Sequence, residues 1–277
     1  MRKIKVGMIQ MKVVFDQAEE NLRHADELVK KAASLGAQIC IIPECADLGW
    51  GNPDTAKLAQ PVPGTVSEAY GEIAKKYHVY LVAGLTEKEG TKVYNTAVLL
   101  SDQGELLHKH RKINILTGVE DVYSVGTKIE VIDTPFGRIG IDICADNAVQ
   151  SLSIGHVLAR MGAQMILSPC AWAVEPDRDP VKEPYGEEWH VPYEALSSLY
   201  EIPVIGVSNV GEVSKGSWKG WKAIGNSIAY DSDGEKLAVL PYGEEAEMVQ
   251  VVNATILEPA MSGTELSEFV YESLMQE

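Results

Sequence analysis

No stretch of the 277-residue sequence approaches the roughly 20 consecutive apolar residues that a membrane-spanning helix needs. Cations are scarce: 24 Lys and Arg against 40 Asp and Glu leave a formal net charge of −16. That balance speaks against a nucleic-acid partner, which needs clustered positive charge, and against docking on anionic membrane. Cysteine is sparse too. Cys40, Cys45, Cys144 and Cys170 form no C-x-x-C pair and no zinc-ribbon spacing. No metal site and no cofactor are expected, and each cysteine reads first as a small buried hydrophobe. The N-terminus MRKIKVGMIQ alternates and lacks the continuous apolar core of an export signal, so a cytoplasmic protein with reduced thiols is expected. No linker rich in Ser, Pro or Gly divides the chain, which reads as a single domain over residues 1–277. The segment from about residue 255 is expected to be peripheral or at an oligomer interface.

What is present is an alternation of strands and helices. Ile4 to Met11 alternates like a half-buried strand. Asp16 and Glu19 suggest a helix N-cap and capping box, followed by an apolar stripe through Leu22, Ala25, Leu28, Val29, Ala32 and Leu35. Residues 37–42 read as a strand covered on both faces. A second helix opens at Thr65. Strands come next at 80–86, 93–101, 105–109, 128–133 and 138–144, then a helix at 148–161 and a strand at 163–168. Later come a helix at 188–200, a strand at 203–209, a hairpin of 227–230 with 236–240, a strand at 247–252 and a peripheral helix from Thr264. The mixture of crossovers and hairpins predicts helices packed outside a pair of mixed sheets rather than a parallel barrel. One internal echo stands out: residues 35–44 (LGAQICIIPE) resemble residues 161–170 (MGAQMILSPC). If the halves are equivalent, each presents a side chain after a Pro at a strand's C-terminal end, Glu44 in one and Cys170 in the other.

Three apolar strands end in reactive groups: Glu44 delivers a carboxylate, Lys112 an ammonium and Cys144 a thiol just before a helix start. Oriented N–H groups there would favour thiolate. An unperturbed thiol (pKa ~8.5) gives its proton to an unperturbed Glu (~4.3) at a cost of about 6 kcal/mol. Burial of the Glu and a neighbouring Lys would narrow that gap, and the Lys could then stabilise an oxyanion. Each residue also has a plain alternative. Glu44 could be a salt-bridge partner, Lys112 part of a basic surface run, and Cys144 inert core.

Read together, the segments resemble the nitrilase superfamily of carbon–nitrogen hydrolases. The fragments are Pro43-Glu44 with Trp50, His110-Arg111-Lys112, Glu120 with Tyr123 and Gly126, residues 134–140 (TPFGRIG) leading into 143–146 (ICAD), Ser208-Asn209, Gly225-Asn226-Ser227, and Asp231 to Gly234. Their order and spacing cover nearly the whole chain. The resemblance implies an α/β fold, a four-layer α-β-β-α sandwich of two mixed sheets with outer helices, assembled as a homodimer or larger homo-oligomer. It implies Cys144 as nucleophile, Glu44 as general base, and Lys112 with the Ala145 N–H as oxyanion stabilisers. Glu120 would position substrate or assist proton transfer. The implied reaction cleaves a small linear amide or N-carbamoyl amine through a cysteine thioester, with nitrile hydrolysis, acyl transfer or a non-catalytic binding role as alternatives. Two departures exist: Ala145 stands where the family commonly has an aromatic, and residues 194–200 lack a familiar Ala-Arg-Ala-x-Glu-Asn helix. Trp50 and Trp172 could line the pocket or simply pack. The acidic, Pro-rich segment Glu175 to Trp189 could be a lid, an oligomer contact or a solvated loop, and its charge hints at cationic substrates.

Overall fold

The computed structural model of the protein describes residues 1–259 together with 266, 267, 270 and 271. Its first sheet comprises β1 (Arg2–Gln10), β2 (Ile39–Ile42), β3 (Tyr80–Glu89), β4 (Lys92–Leu100), β5 (Leu106–Arg111) and β15 (Met248–Ile256), in the order β15-β1-β2-β3-β4-β5. The second comprises β6 (Val131–Thr134), β7 (Gly137–Ile141), β8 (Met165–Cys170), β10 (Val204–Ser208), β13 (Ile228–Tyr230) and β14 (Lys236–Val239), in the order β14-β13-β10-β8-β7-β6. Each sheet is parallel across its three central strands and antiparallel outside them. A short third sheet joins β9 (Ala173–Val174), β11 (Val210–Glu212) and β12 (Lys222–Ile224).

The helices are α1 (Ala18–Ser34), α2 (Thr55–Leu58), α3 (Thr65–Tyr77), α4 (Ser153–Arg160) and α5 (Glu187–Tyr200). Strand period decides the layering. Ile4, Val6, Met8, Ile39 and Ile41 face the second sheet and share its core. Their neighbours Ile9, Cys40 and Ile42 face the other way and pack with Leu28 and Val29 of α1 and Tyr70 and Ile73 of α3. Ile154 and Leu158 of α4 and Tyr193 and Leu196 of α5 cover the second sheet. The result is the four-layer α-β-β-α sandwich, and β2 is buried on both faces as its unbroken ICII sequence requires.

Several local expectations are corrected. Asp16 does not cap α1: its backbone is left-handed (φ +61°), and its carboxylate is taken by Asn52 Nδ2 at 2.7 Å and by Lys215 Nζ. Asn21 fixes the helix entry instead, exchanging hydrogen bonds with Val14 at 2.9 and 2.7 Å. Leu35 lies outside the apolar stripe, half exposed at 51%. The helix expected at 148–161 is shortened to α4, preceded by two 3-10 turns, Cys144–Asn147 and Val149–Ser151. Thr255 and Ile256 are not peripheral. They complete β15, where Asp231 accepts the Thr255 N–H and hydroxyl at 2.7 Å each. The expected helix from Thr264 lies mostly outside the described residues.

Candidate active site

Three strand ends converge between the sheets. Glu44 comes just after β2, where Pro43 ends the ladder and the Glu44 N–H donates to the Cys170 carbonyl across the sandwich at 3.2 Å. Gly84 permits this course: a Cβ there would lie 2.3 Å from the Pro43 oxygen and 2.5 Å from the Glu44 Cα. Lys112 comes directly after β5; its N–H donates to the Asn95 carbonyl of β4 and its carbonyl accepts from Gly126, both at 2.8 Å. Cys144 opens the 3-10 turn after β7 with φ +47°, a conformation side-chain-bearing residues seldom adopt and one that clusters at functional sites. Its N–H donates to Ser168 Oγ at 3.2 Å.

Asp146 ties two of these strand ends together. Its carboxylate accepts from the backbone N–H groups of Ile113 (3.1 Å), Asn114 (2.8 Å) and Ile143 (3.2 Å), and its Oδ2 pairs with His110 Nε2 at 2.9 Å. Burial pushes the Asp146 carboxyl up, but the His110 bond and the backbone donors outweigh it and leave the group below the usual range. The loop carrying Lys112 is thereby stapled to the turn carrying Cys144.

The charged cluster is fully buried. Lys112 Nζ donates to Glu44 Oε1 at 2.8 Å and to Glu120 Oε1 at 2.7 Å, and all three side chains are solvent-free. Asn95 Nδ2 donates to the same two oxygens at 2.6 and 3.3 Å. Glu120 is further held by Trp50 Nε1 at 2.6 Å and, through Oε2, by the Leu116 N–H at 2.8 Å. Glu44 Oε2 alone among the four carboxylate oxygens has no partner. One ammonium between two carboxylates leaves the cluster one negative charge in excess. Burial therefore dominates Glu44, and with Glu120 it overcomes Lys112 and raises the carboxyl from 4.5 to about 7. Burial opposes the Lys112 charge, but Glu44, Glu120 and Cys144 prevail and hold the ammonium well above its ordinary value.

Cys144 sits within the electrostatic reach of both Glu44 and Lys112. Burial, a hydrogen bond with Cys170 and the Glu44 charge raise its thiol well above the ordinary value, against the pull of Lys112. The oriented N–H groups that favour thiolate do not offset burial here. A single 3-10 turn offers little helix dipole, and desolvation of the charged form is the larger effect. The Ala145 N–H donates no hydrogen bond among the described residues.

The other candidate residues surround this cluster. Trp50 is buried on Glu120, with Trp218 edge-on at 5.1 Å. Trp172 is packed in the core: it stacks on Trp189 at 5.0 Å, and its indole N–H has no partner. Cys170 lies behind Cys144, its sulfur 3.6 Å from Ser168 Oγ and 3.5 Å from the Tyr193 hydroxyl. The 175–189 segment folds back on the core. Its Tyr185 accepts from Trp189 Nε1 at 2.7 Å, and the phenol, raised first by burial, lies within electrostatic reach of the Cys144 and Cys170 thiols.

Sequence reasoning missed Asn95, Asp146 and Tyr185. A signal for Asn95 was present, because a carboxamide inside the apolar strand KVYNTAVLL has to be satisfied by something buried. Among the described residues no group of three or more His, Cys, Asp and Glu side chains is arranged to hold a metal.

Comparison with known proteins gives the chain its relatives. An omega-amidase of Xenopus laevis is 31% identical over 182 residues, which cover 62% of this chain and 65% of the relative, so the match spans just under two thirds of that protein. An omega-amidase of Arabidopsis thaliana, described as chloroplastic, is 28% identical over 92% of this chain and 69% of its own. A carbon–nitrogen hydrolase from Helicobacter pylori superposes with a TM-score of 0.81 at 21% identity, covering 100% of this chain and 95% of that one. The family model for carbon–nitrogen hydrolases matches residues 5–257. The chain belongs to the carbon–nitrogen hydrolase family.

Proposed function

We propose that residues 1–277 form one carbon–nitrogen hydrolase domain that cleaves the C–N bond of a small linear amide through a thioester on Cys144. The observation that carries this reading is the buried cluster itself. Glu44 keeps one oxygen unpartnered while Lys112 and Asn95 hold the other, and the Cys144 thiol lies within the field of both charges. Three buried charges of this kind are costly to fold around, and structural stabilisation is a poor return for them.

In this reading Glu44 Oε2 takes the Cys144 proton as the sulfur attacks the amide carbon. Burial has raised both groups, so the resting sulfur keeps its proton and transfer accompanies attack rather than preceding it. The new oxyanion is met by the Lys112 ammonium and the unpaired Ala145 N–H. Glu44 then returns the proton to the departing nitrogen, and ammonia or an amine leaves a thioester. A water that gives its proton to Glu44 attacks that thioester. The acid departs, and the sulfur recovers the proton from Glu44. Glu120 touches no free oxygen of Glu44. It holds Lys112 and is itself fixed by Trp50, which gives it a positioning role.

The omega-amidase relatives support an amide substrate. The near-closed surroundings of Cys144 and Ala145, 4% and 6% exposed, support a small one. Tyr185 against the core supports the 175–189 segment as a cover over that site. The reading includes a cytoplasmic location, which four unpaired cysteines suit, and self-association of the chain. The test is ammonia release from a panel of short linear primary amides, with and without a terminal carboxylate, and of N-carbamoyl amines. Wild-type protein turns over at least one of them. A folded Cys144→Ala variant that retained turnover would refute the assignment.

A further inference from the structure

Asn95 is the polar side chain of the cluster that the proton path leaves unused, and its part in the reaction rests on the function proposed for Cys144 and Glu44. It lies in the middle of β4, 1% exposed, paired with Thr86 of β3. It touches the cluster three times. Its Nδ2 donates to Glu44 Oε1 at 2.6 Å and to Glu120 Oε1 at 3.3 Å, and its backbone carbonyl accepts the Lys112 N–H at 2.8 Å. Its Oδ1 is buried with no partner. An amide oxygen left unpaired in the interior is unfavourable. Turning the amide over would be worse, because it would set that oxygen against two carboxylates. The orientation is therefore dictated by the charges, and the fold tolerates the orphaned oxygen in order to keep it.

We propose that Asn95 is a positioning residue of the reaction: its amide decides which oxygen of Glu44 is held and which is left free to take the Cys144 proton. Lys112 alone could not do this. An ammonium is a compact charge on a rotatable stem and would follow either oxygen, and it is already shared with Glu120. The planar carboxamide on a strand donates along a fixed direction, so Oε1 is bound twice and Oε2 remains unbonded. The donation also stabilises the ionised carboxylate. The titratable groups facing Glu44 are Lys112, Glu120 and Cys144, with Cys45 beside it on its own loop. Among the described groups that hydrogen-bond the Glu44 side chain, Asn95 is the uncharged one.

The experiment compares pH profiles of kcat and KM for wild type, Asn95→Leu and Asn95→Asp, using whichever of the short amides and carbamoyl amines the wild type turns over fastest. Leu keeps the volume and removes the donor. Asp keeps the shape and adds a third carboxylate. Losing one hydrogen bond to a charged acceptor is expected to move the acid limb of kcat/KM upward by about one pH unit in Asn95→Leu. One unit below the wild-type limb, kcat/KM then falls about tenfold. Asn95→Asp is expected to move the limb further in the same direction. The loss falls on kcat, with KM changed less than about threefold. A merely structural Asn95 would lower the melting temperature and scale the whole profile down without moving its limb. An unmoved limb in whichever variant folds, Asp being the closer in shape, overturns the inference while leaving the functional reading intact. A wild-type protein that turns over none of the panel removes both.

Discussion

Residues 35–44 and 161–170 are the same construction used twice, once in each sheet. Both begin at a helix end and turn through a left-handed glycine, Gly36 (φ +88°) and Gly162 (φ +87°). Both then lay a glutamine against the preceding parallel strand. Gln38 and Gln164 donate their N–H to Lys5 and Arg138 at 2.8 Å, and their side-chain oxygens accept from the same residues at 3.0 and 3.1 Å. Both feed a buried central strand that closes on a proline. The two ends meet where the Glu44 N–H reaches the Cys170 carbonyl. The difference lies in the residue after the proline. The first half supplies a carboxylate that joins Lys112, Glu120 and Asn95, whereas the second supplies a thiol that hydrogen-bonds to Ser168 and Tyr193 and backs onto Cys144. Equivalent backbone therefore carries unequal side chains, and the nucleophile proposed for the reaction comes from a third strand end, after β7.

Substitutions can break that comparison, and the largest effects fall on the chemical side of it. Cys144→Ala is expected to lower kcat/KM by at least about 10³-fold, whereas Cys170→Ala stays within about tenfold of wild type. Equal losses would show that the two thiols do not differ in role. Lys112→Met leaves two carboxylates buried without their cation, and a stability loss of about 3–5 kcal/mol in urea titration accompanies loss of turnover. An unchanged denaturation midpoint would show that the cluster is not buried in solution. Wild-type kcat/KM is expected to fall with an acid limb near pH 7. Burial has raised Glu44 to about 7, and its protonated form, favoured as pH drops, cannot act as a base. A limb near 4.5, the ordinary carboxyl value, would contradict the raised Glu44. The smallest effect sharpens the backbone equivalence. Gly36→Ala and Gly162→Ala each force a left-handed alanine and are expected to cost about 1 kcal/mol apiece, alike in both halves. A large disparity would show that the two turns are not equivalent.

The sequence made the sandwich legible because strand periodicity and buried runs such as ICII carry their own burial pattern. The echo at 35–44 and 161–170 was visible for the same reason. The three strand ends could be named, and the structure draws Glu44, Lys112 and Glu120 into direct contact. What escaped was long-range pairing. Asp16 looks like a local cap, and only the fold reveals Lys215 beside it, 199 residues away. Asn95 and Asp146 act mainly on partners from other strands, so the carboxamide inside β4 and the Asp of the ICAD fragment show that a role exists but not with which partner. The balance at Cys144 was not legible either, because helix-start logic is local, whereas desolvation belongs to the assembled interior.

The central claim is that the proton and the acyl group both pass through Cys144 and not through its neighbour in the second half. Intact-mass and peptide mapping of protein quenched with acid during turnover of an amide measures this directly. The account predicts an acyl adduct on the peptide containing Cys144, present in Cys170→Ala and absent in Cys144→Ala. An adduct that maps to Cys170, or that survives in Cys144→Ala, would contradict it.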